Sequence, residues 1–120
     1  MKDQDKDNSV YLLHILDAIG QIEAYTAEGR ADFLGSQLQQ HAVIWNVGVI
    51  GEASRHISQR FRDLHPEVHW REIVGMRNRL VHQYFNVDSH LVWEVVSGDV
   101  PILKSQVEAM LDELQESAGS

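Results

Sequence analysis

The chain has no cysteine, so neither a disulfide framework nor a thiolate metal site is open to it. Only two of its 120 residues are proline, which leaves room for long uninterrupted helices. No stretch approaches the roughly 20 consecutive apolar residues of a membrane span. The opening MKDQDKDNS is polar and lacks the apolar core of a secretion signal. These absences point to a protein that stays in the cytoplasm. Positive charge is also scarce: 10 Lys and Arg stand against 18 Asp and Glu, a net charge of −8. That excludes a broad basic surface for nonspecific nucleic-acid binding, but not a small site built on a few arginines. Arg55, Arg60, Arg62, Arg71, Arg77 and Arg79 all fall in the middle third of the chain. Strand-like alternation and internal repeats are missing too.

What remains reads as helix. The apolar fraction is 43%, and apolar residues recur every three or four positions, enough for one domain over 1–120. Leu12, Ile15, Leu16, Ile19 and Ile22 predict a first helix over about 9–26, capped by Asn8 or Ser9 and closed by Gly29. Asp32 is then expected to cap a long helix over about 33–62. Its centre, AVIWNVGVIGEA, is apolar nearly all round. Val43, Val47, Ile50, Ile57 and Phe61 form one stripe; Leu38, Ala42, Trp45, Val49 and Ala53 form another. In so small a chain, two apolar faces imply core on one side and a second subunit on the other, hence a homodimer. Gly48 and Gly51 each cost a helix about 1 kcal/mol relative to Ala, which close approach of another helix would explain.

Pro66 marks a turn. His65 and His69 have metal-like spacing, but Pro66 lies between them and no third ligand is evident, so no metal is assigned. A helix over about 70–84 follows, then a short one over about 89–96 capped by Asp88. Ser97-Gly98-Asp99 is expected to break the chain before a last helix with Pro101 in its first turn. The expected fold is all-α: an up-and-down bundle of four long helices plus one short helix.

The stretch WREIVGMRNRLVHQYF, residues 70–85, holds the one conflict between pattern and residue. On a helix, Trp70, Ile73, Val74, Leu80, Val81, Tyr84 and Phe85 form an apolar stripe with Arg77 near its middle. A guanidinium there needs a carboxylate, a set of carbonyls or a bound anion. Glu52 and Glu94 are the candidate carboxylates. Asn78 and His82 would lie one turn apart along the edge of the same helix. The residue types also suit cleavage of a phosphodiester without a metal. An imidazole can take a proton from a ribose 2′-hydroxyl or give one to the leaving oxygen. An arginine can grip the phosphate through two donors as charge builds on it. One copy offers one imidazole, and a twofold dimer would supply a second His82 and a second Arg77.

The run RNRLVHQY, from Arg77 to Tyr84, resembles the Arg-x4-His-x-Tyr motif of HEPN-domain proteins of the HepT-like toxin family, also called DUF86. IGEASRHIS, HPEVHWREIVGMRN and YFNVDSHLVWEVV extend the resemblance over much of the chain. It implies a small dimeric HEPN-like bundle whose motif helices line a cleft. It further implies a metal-independent ribonuclease, with no cofactor, that serves as the toxin of a type II toxin–antitoxin pair. RNA is the implied substrate, and DNA is not expected. The implied partner is a minimal nucleotidyltransferase antitoxin that can adenylylate the motif tyrosine. Carried over by position, Arg77 and His82 are catalytic, Asn78 assists, and Tyr84 is the modification site. Two other readings stand beside this one. In one, the same pocket is a non-catalytic nucleotide- or protein-binding module. In the other, the chain is a purely structural dimer with Arg77 bridged to Glu52.

Overall fold

Leu12, Ile15, Ile19 and Ile22 are completely buried, and they define the inner face of α1 (Lys2–Tyr25). Each such aliphatic side chain contributes about 1.5–3 kcal/mol by leaving water. The computed structural model describes residues 2–82 and 86–119. α1 packs on both α3 (Gln37–His56) and α7 (Val100–Gly119), and α3 packs in turn on α5 (Trp70–Leu80). Short helices α2 (Arg30–Leu34), α4 (Gln59–Leu64) and α6 (Ser89–Glu94) fill the corners. The fold is an all-α helical bundle built, among the described residues, around one buried apolar cluster. Among the described residues, no helix is long and apolar enough to cross a membrane.

The first helix starts earlier than its capping residues suggest. Asn8 is no cap; it lies inside α1 with only 2% of its surface exposed. Its amide instead clamps Ser58 from fifty residues away. The Asn8 Nδ2 group donates to Ser58 Oγ at 3.1 Å, and the Ser58 N–H donates to Asn8 Oδ1 at 3.0 Å. Both polar groups of the buried amide are thereby satisfied.

The expected long second helix is three helices. Gly29, at φ +94°, provides the left-handed turn that only glycine adopts freely, and α2 starts after it, so Asp32 sits within α2 and caps nothing. Ser36 caps α3 by accepting from the Gln39 N–H at 3.2 Å. The buried Gln40 amide donates to the carbonyls of Phe33 and Leu34, at 3.0 and 3.1 Å, which fixes the α2–α3 corner. Ile57 is extended, and Ser58 caps α4 by accepting from the Phe61 N–H at 3.2 Å. Two serine caps thus outcompete an unbroken apolar pattern.

His65 closes the α4–α5 corner. It is buried, and its ring nitrogens lie 3.2 Å from Glu67 and 3.2 Å from Glu113 of α7. Both nitrogens are therefore engaged by carboxylates. The Trp70 indole N–H donates to the His65 carbonyl at 3.1 Å, which anchors the start of α5. Glu67 is held below its ordinary pKa mainly by a backbone N–H, with His65 adding to the effect. On another side of the bundle, Lys104 of α7 bonds Glu23 of α1 at 2.9 Å, which raises the lysine's pKa.

Asp88 caps α6 as expected, accepting from the Leu91 N–H at 3.2 Å. The expected break at Ser97-Gly98-Asp99 does not occur. The helix runs on through a π-helical turn, Val95–Asp99, in which the Val100 N–H reaches back to the Val95 carbonyl. The wider turn lets the chain enter α7 with Pro101 in its first turn, where a missing N–H is tolerated.

Gly48 and Gly51 mark where two helices touch, as their helix-weakening presence suggests. A Cβ on Gly51 would stand 3.2 Å from the Val74 carbonyl oxygen and 3.4 Å from that of Ile73. On Gly48 it would meet only the flexible Arg77 stem, at 3.4 Å. Both alanine variants gain helix propensity, about 1 kcal/mol each. Gly51→Ala must also push backbone carbonyls aside. Urea unfolding should therefore find Gly51→Ala less stable than Gly48→Ala, by on the order of 1 kcal/mol or more. Equal midpoints would contradict the packing described here.

Candidate functional site

Four residues of α5 face the core: Trp70, Ile73, Met76 and Leu80. Their spacing of three, three and four is an ordinary amphipathic stripe. It runs through Met76 and not through Arg77, so the arginine sits on the flank of the buried face. Arg77 is exposed, and no inward charge has to be neutralised. Its aliphatic stem lies over Gly48 of α3, where the lack of a side chain makes room. This is the usual posture of a long cation, with its stem on apolar surface and its head in water.

Neither expected carboxylate pairs with it. Glu52 is 3.4 Å from His56 and 3.9 Å from Arg55, its neighbours on α3. Among the described residues, Arg77 forms no ion pair. Arg77 and Arg79 both occupy the last turn of α5, where positive charge complements the helix C-terminus. Asn78 lies beside them and is also exposed.

The motif helix stops before His82. Its C-cap, Val81, is extended, and its N–H still reaches the Arg77 carbonyl at 3.1 Å. Val81 forms an isolated antiparallel bridge with Val87. The His82 N–H donates to the Asn86 carbonyl at 2.9 Å, and the Asp88 N–H donates to the Leu80 carbonyl at 3.0 Å. Two β-branched valines favour this extended pairing over a further helical turn. Asn78 and His82 therefore do not share a helix edge. His82 lies just beyond the helix end, after the extended Val81, and is exposed. Tyr84 and Phe85 lie outside the described residues.

The structure thus gathers Arg77, Asn78 and His82 at one end of α5, on the protein surface. Three cavities elsewhere in the chain are lined by other residues. Next to the site, α3 presents apolar surface to solvent. Trp45, one turn before Gly48, is 73% exposed, and Leu38 is 79% exposed. Of the second apolar stripe, only Ala53 is buried; Ala42 and Val49 are half-covered. Gly48 was legible as a point of close approach by another helix, but nothing in the sequence marked it as the seat of Arg77. Met76 was recoverable from the three- and four-residue spacing once Arg77 was not forced inward.

The fold defines the class, an all-α helical bundle, and comparison with known proteins supplies the family. The chain belongs to the ribonuclease HepT-like family, whose pattern matches residues 15–110. A Thermococcus cleftensis protein named "Probable ribonuclease HepT" is 44% identical over 92% of this chain and 98% of its own length. A Methanocaldococcus jannaschii protein named "Putative RNase MJ1380" is 38% identical over 86% of this chain and 95% of its own. A second protein of that organism, "Gamma-glutamylcyclotransferase and putative RNase MJ0434", is 40% identical over 93% of this chain. The chain spans about half of that longer relative, 51%. No solved structure gives a significant match.

Proposed function

We propose that this chain is a metal-independent ribonuclease toxin of a type II toxin–antitoxin pair, acting as a homodimer. The observation that carries the reading is the exposed guanidinium of Arg77, which forms no ion pair among the described residues and lies in the last turn of α5, just ahead of His82. An arginine exposed at the surface is available to a phosphate, and membership in a ribonuclease-like family supports RNA as the source of that phosphate. Asn78 can donate to a second phosphate oxygen.

In the proposed reaction, one His82 takes the proton of a ribose 2′-hydroxyl. The oxygen attacks the adjacent phosphorus while Arg77 stabilises the charge on the equatorial oxygens. The bond to the 5′-oxygen breaks, and His82 of the second copy protonates that oxygen. The products are a 2′,3′-cyclic phosphate and a 5′-hydroxyl. His82→Ala and Arg77→Ala should each lower the cleavage rate by about 10²–10⁴-fold with unchanged circular dichroism. Full cleavage by both variants, or ends carrying a 5′-phosphate, would refute this chemistry.

The dimer follows from the bare apolar surface around Trp45, which adjoins Arg77 through Gly48. Light scattering at micromolar concentration should give twice the 13.7 kDa chain mass. Trp45→Glu should shift it towards monomer and reduce cleavage in parallel. A wild-type monomer that cleaves RNA at full rate would defeat the shared site.

The proposed antitoxin is a minimal nucleotidyltransferase that transfers AMP to the Tyr84 hydroxyl. The added bulk and negative charge would compete with RNA for Arg77. Protein co-expressed with such an enzyme should carry an AMP-sized mass increment on Tyr84; modification of another residue, with toxicity lost all the same, would remove this part of the reading. One observation favours a second reading, a non-catalytic nucleotide- or protein-binding module: among the described residues, one imidazole, that of His82, follows Arg77 at this end of α5. Saturable nucleotide binding that is lost in Arg77→Ala, without any RNA cleavage, would select it.

A further inference from the structure

α1 and α7 do not close completely along their length. Between them runs a groove of about 850 Å³. Its floor is Leu13, Leu16, Leu111 and Leu114, one apolar pair from each helix. Leu13 is 50% exposed, and Val10, one turn earlier on α1, is 43% exposed. The other three leucines are half-buried against the core. The rim is acidic: Asp5, Glu108 and Asp112 border the groove, with Lys6 as the single cation among its lining residues.

We infer that this groove is a docking site for a basic amphipathic helix of a partner protein. From Asp5 to Leu16 the α1 wall is about 17 Å long at 1.5 Å per residue, which matches roughly three turns of a bound helix. Leucine and isoleucine at i, i+3 and i+4 on that helix would cover the floor, while flanking lysines or arginines would meet the rim. Charge selects among the occupants. RNA and an anionic membrane surface are repelled by three carboxylates against one ammonium. A second copy of the chain, itself at −8, would bring an identical acidic rim to the same place. A basic helix alone satisfies both the apolar floor and the acidic edge. The groove is built from other helices than those that hold Arg77 and His82, so the inference is independent of the proposed nuclease chemistry.

The test uses the full chain and a fluorescein-labelled 14-residue peptide of leucine and lysine, with leucines at helical spacing. Three controls accompany it: the same composition scrambled, the same pattern with glutamate for lysine, and a single-stranded RNA. Fluorescence anisotropy at physiological salt should show saturable binding of the patterned peptide, at least tenfold tighter than either peptide control. Leu13→Asp and Asp112→Lys, both at exposed positions, should each weaken it at least fivefold. The second substitution leaves the apolar floor intact and keeps the test decisive if the first perturbs folding. Equal binding of the scrambled peptide, or no effect of Asp112→Lys, would overturn the proposal. So would RNA binding that Asp112→Lys strengthens and Leu13→Asp weakens, or a change in oligomeric state caused by Leu13→Asp.

Discussion

At Gly51 the backbone of α3 lies so near the carbonyls of α5 that a single methyl group would press on them, with 3.2 Å to the Val74 oxygen. This contact sets the position of the motif helix more directly than any ion pair. It brings α5 flat against α3 and turns Ile73 and Met76 inward. Arg77 is left at the seam, its stem over the bare backbone of Gly48. A larger residue at Gly51 would hold the helices apart, and Arg77 would lose the surface it lies on. The placement of the guanidinium thus follows from close packing, whose tolerance is a fraction of an ångström.

The other corners hold α5 in that place by saturating polar groups. His65 joins the α4–α5 corner to α7 through two carboxylates, and Trp70 bonds back to the His65 carbonyl. Asn8 holds the α3–α4 corner through both polar groups of its amide. Each is a buried polar side chain with its partners present, an arrangement that gives a corner one geometry instead of several. Beyond the far end of α5, Val81 pairs antiparallel with Val87, ahead of α6. The two motif residues are held unequally: the arginine rides on a packed helix, whereas the histidine lies beyond its end.

The helical class, the core stripes of α1 and α7 and the close approach at Gly48 and Gly51 were legible because apolar period and glycine cost are local signals. The motif residues were legible from their resemblance to a family. Other features depended on contacts distant in sequence. Asn8 reads as a helix cap until Ser58 is known to lie beside it. Ser36 and Ser58 end helices whose apolar period runs on through them. Arg77 reads as buried only if the stripe is centred on it; Met76 carries the stripe instead. The helix end at Leu80 had one local hint, the β-branched residues Val81 and Val87, which pair as an isolated bridge. Helical period in the same residues masked it.

A net charge of −8 and an RNA substrate pull in opposite directions. In the proposed reading they are reconciled by range. At physiological salt, exposed charges more than about 8 Å apart are largely screened, so the sign beside the scissile phosphate decides whether it can be held. Arg77 and Arg79 supply that local sign at the end of α5. Each phosphate contact on a single strand steepens the salt dependence of binding by only about 0.7 in the log–log slope. A site with two to four arginines across a dimer therefore gains little affinity from charge. It must gain the rest from shape, from bases against apolar surface, or from a substrate already folded to fit. The acidic exterior then acts as a filter. In that reading a strand is held where it reaches the seam between α3 and α5, beside the exposed guanidinium of Arg77.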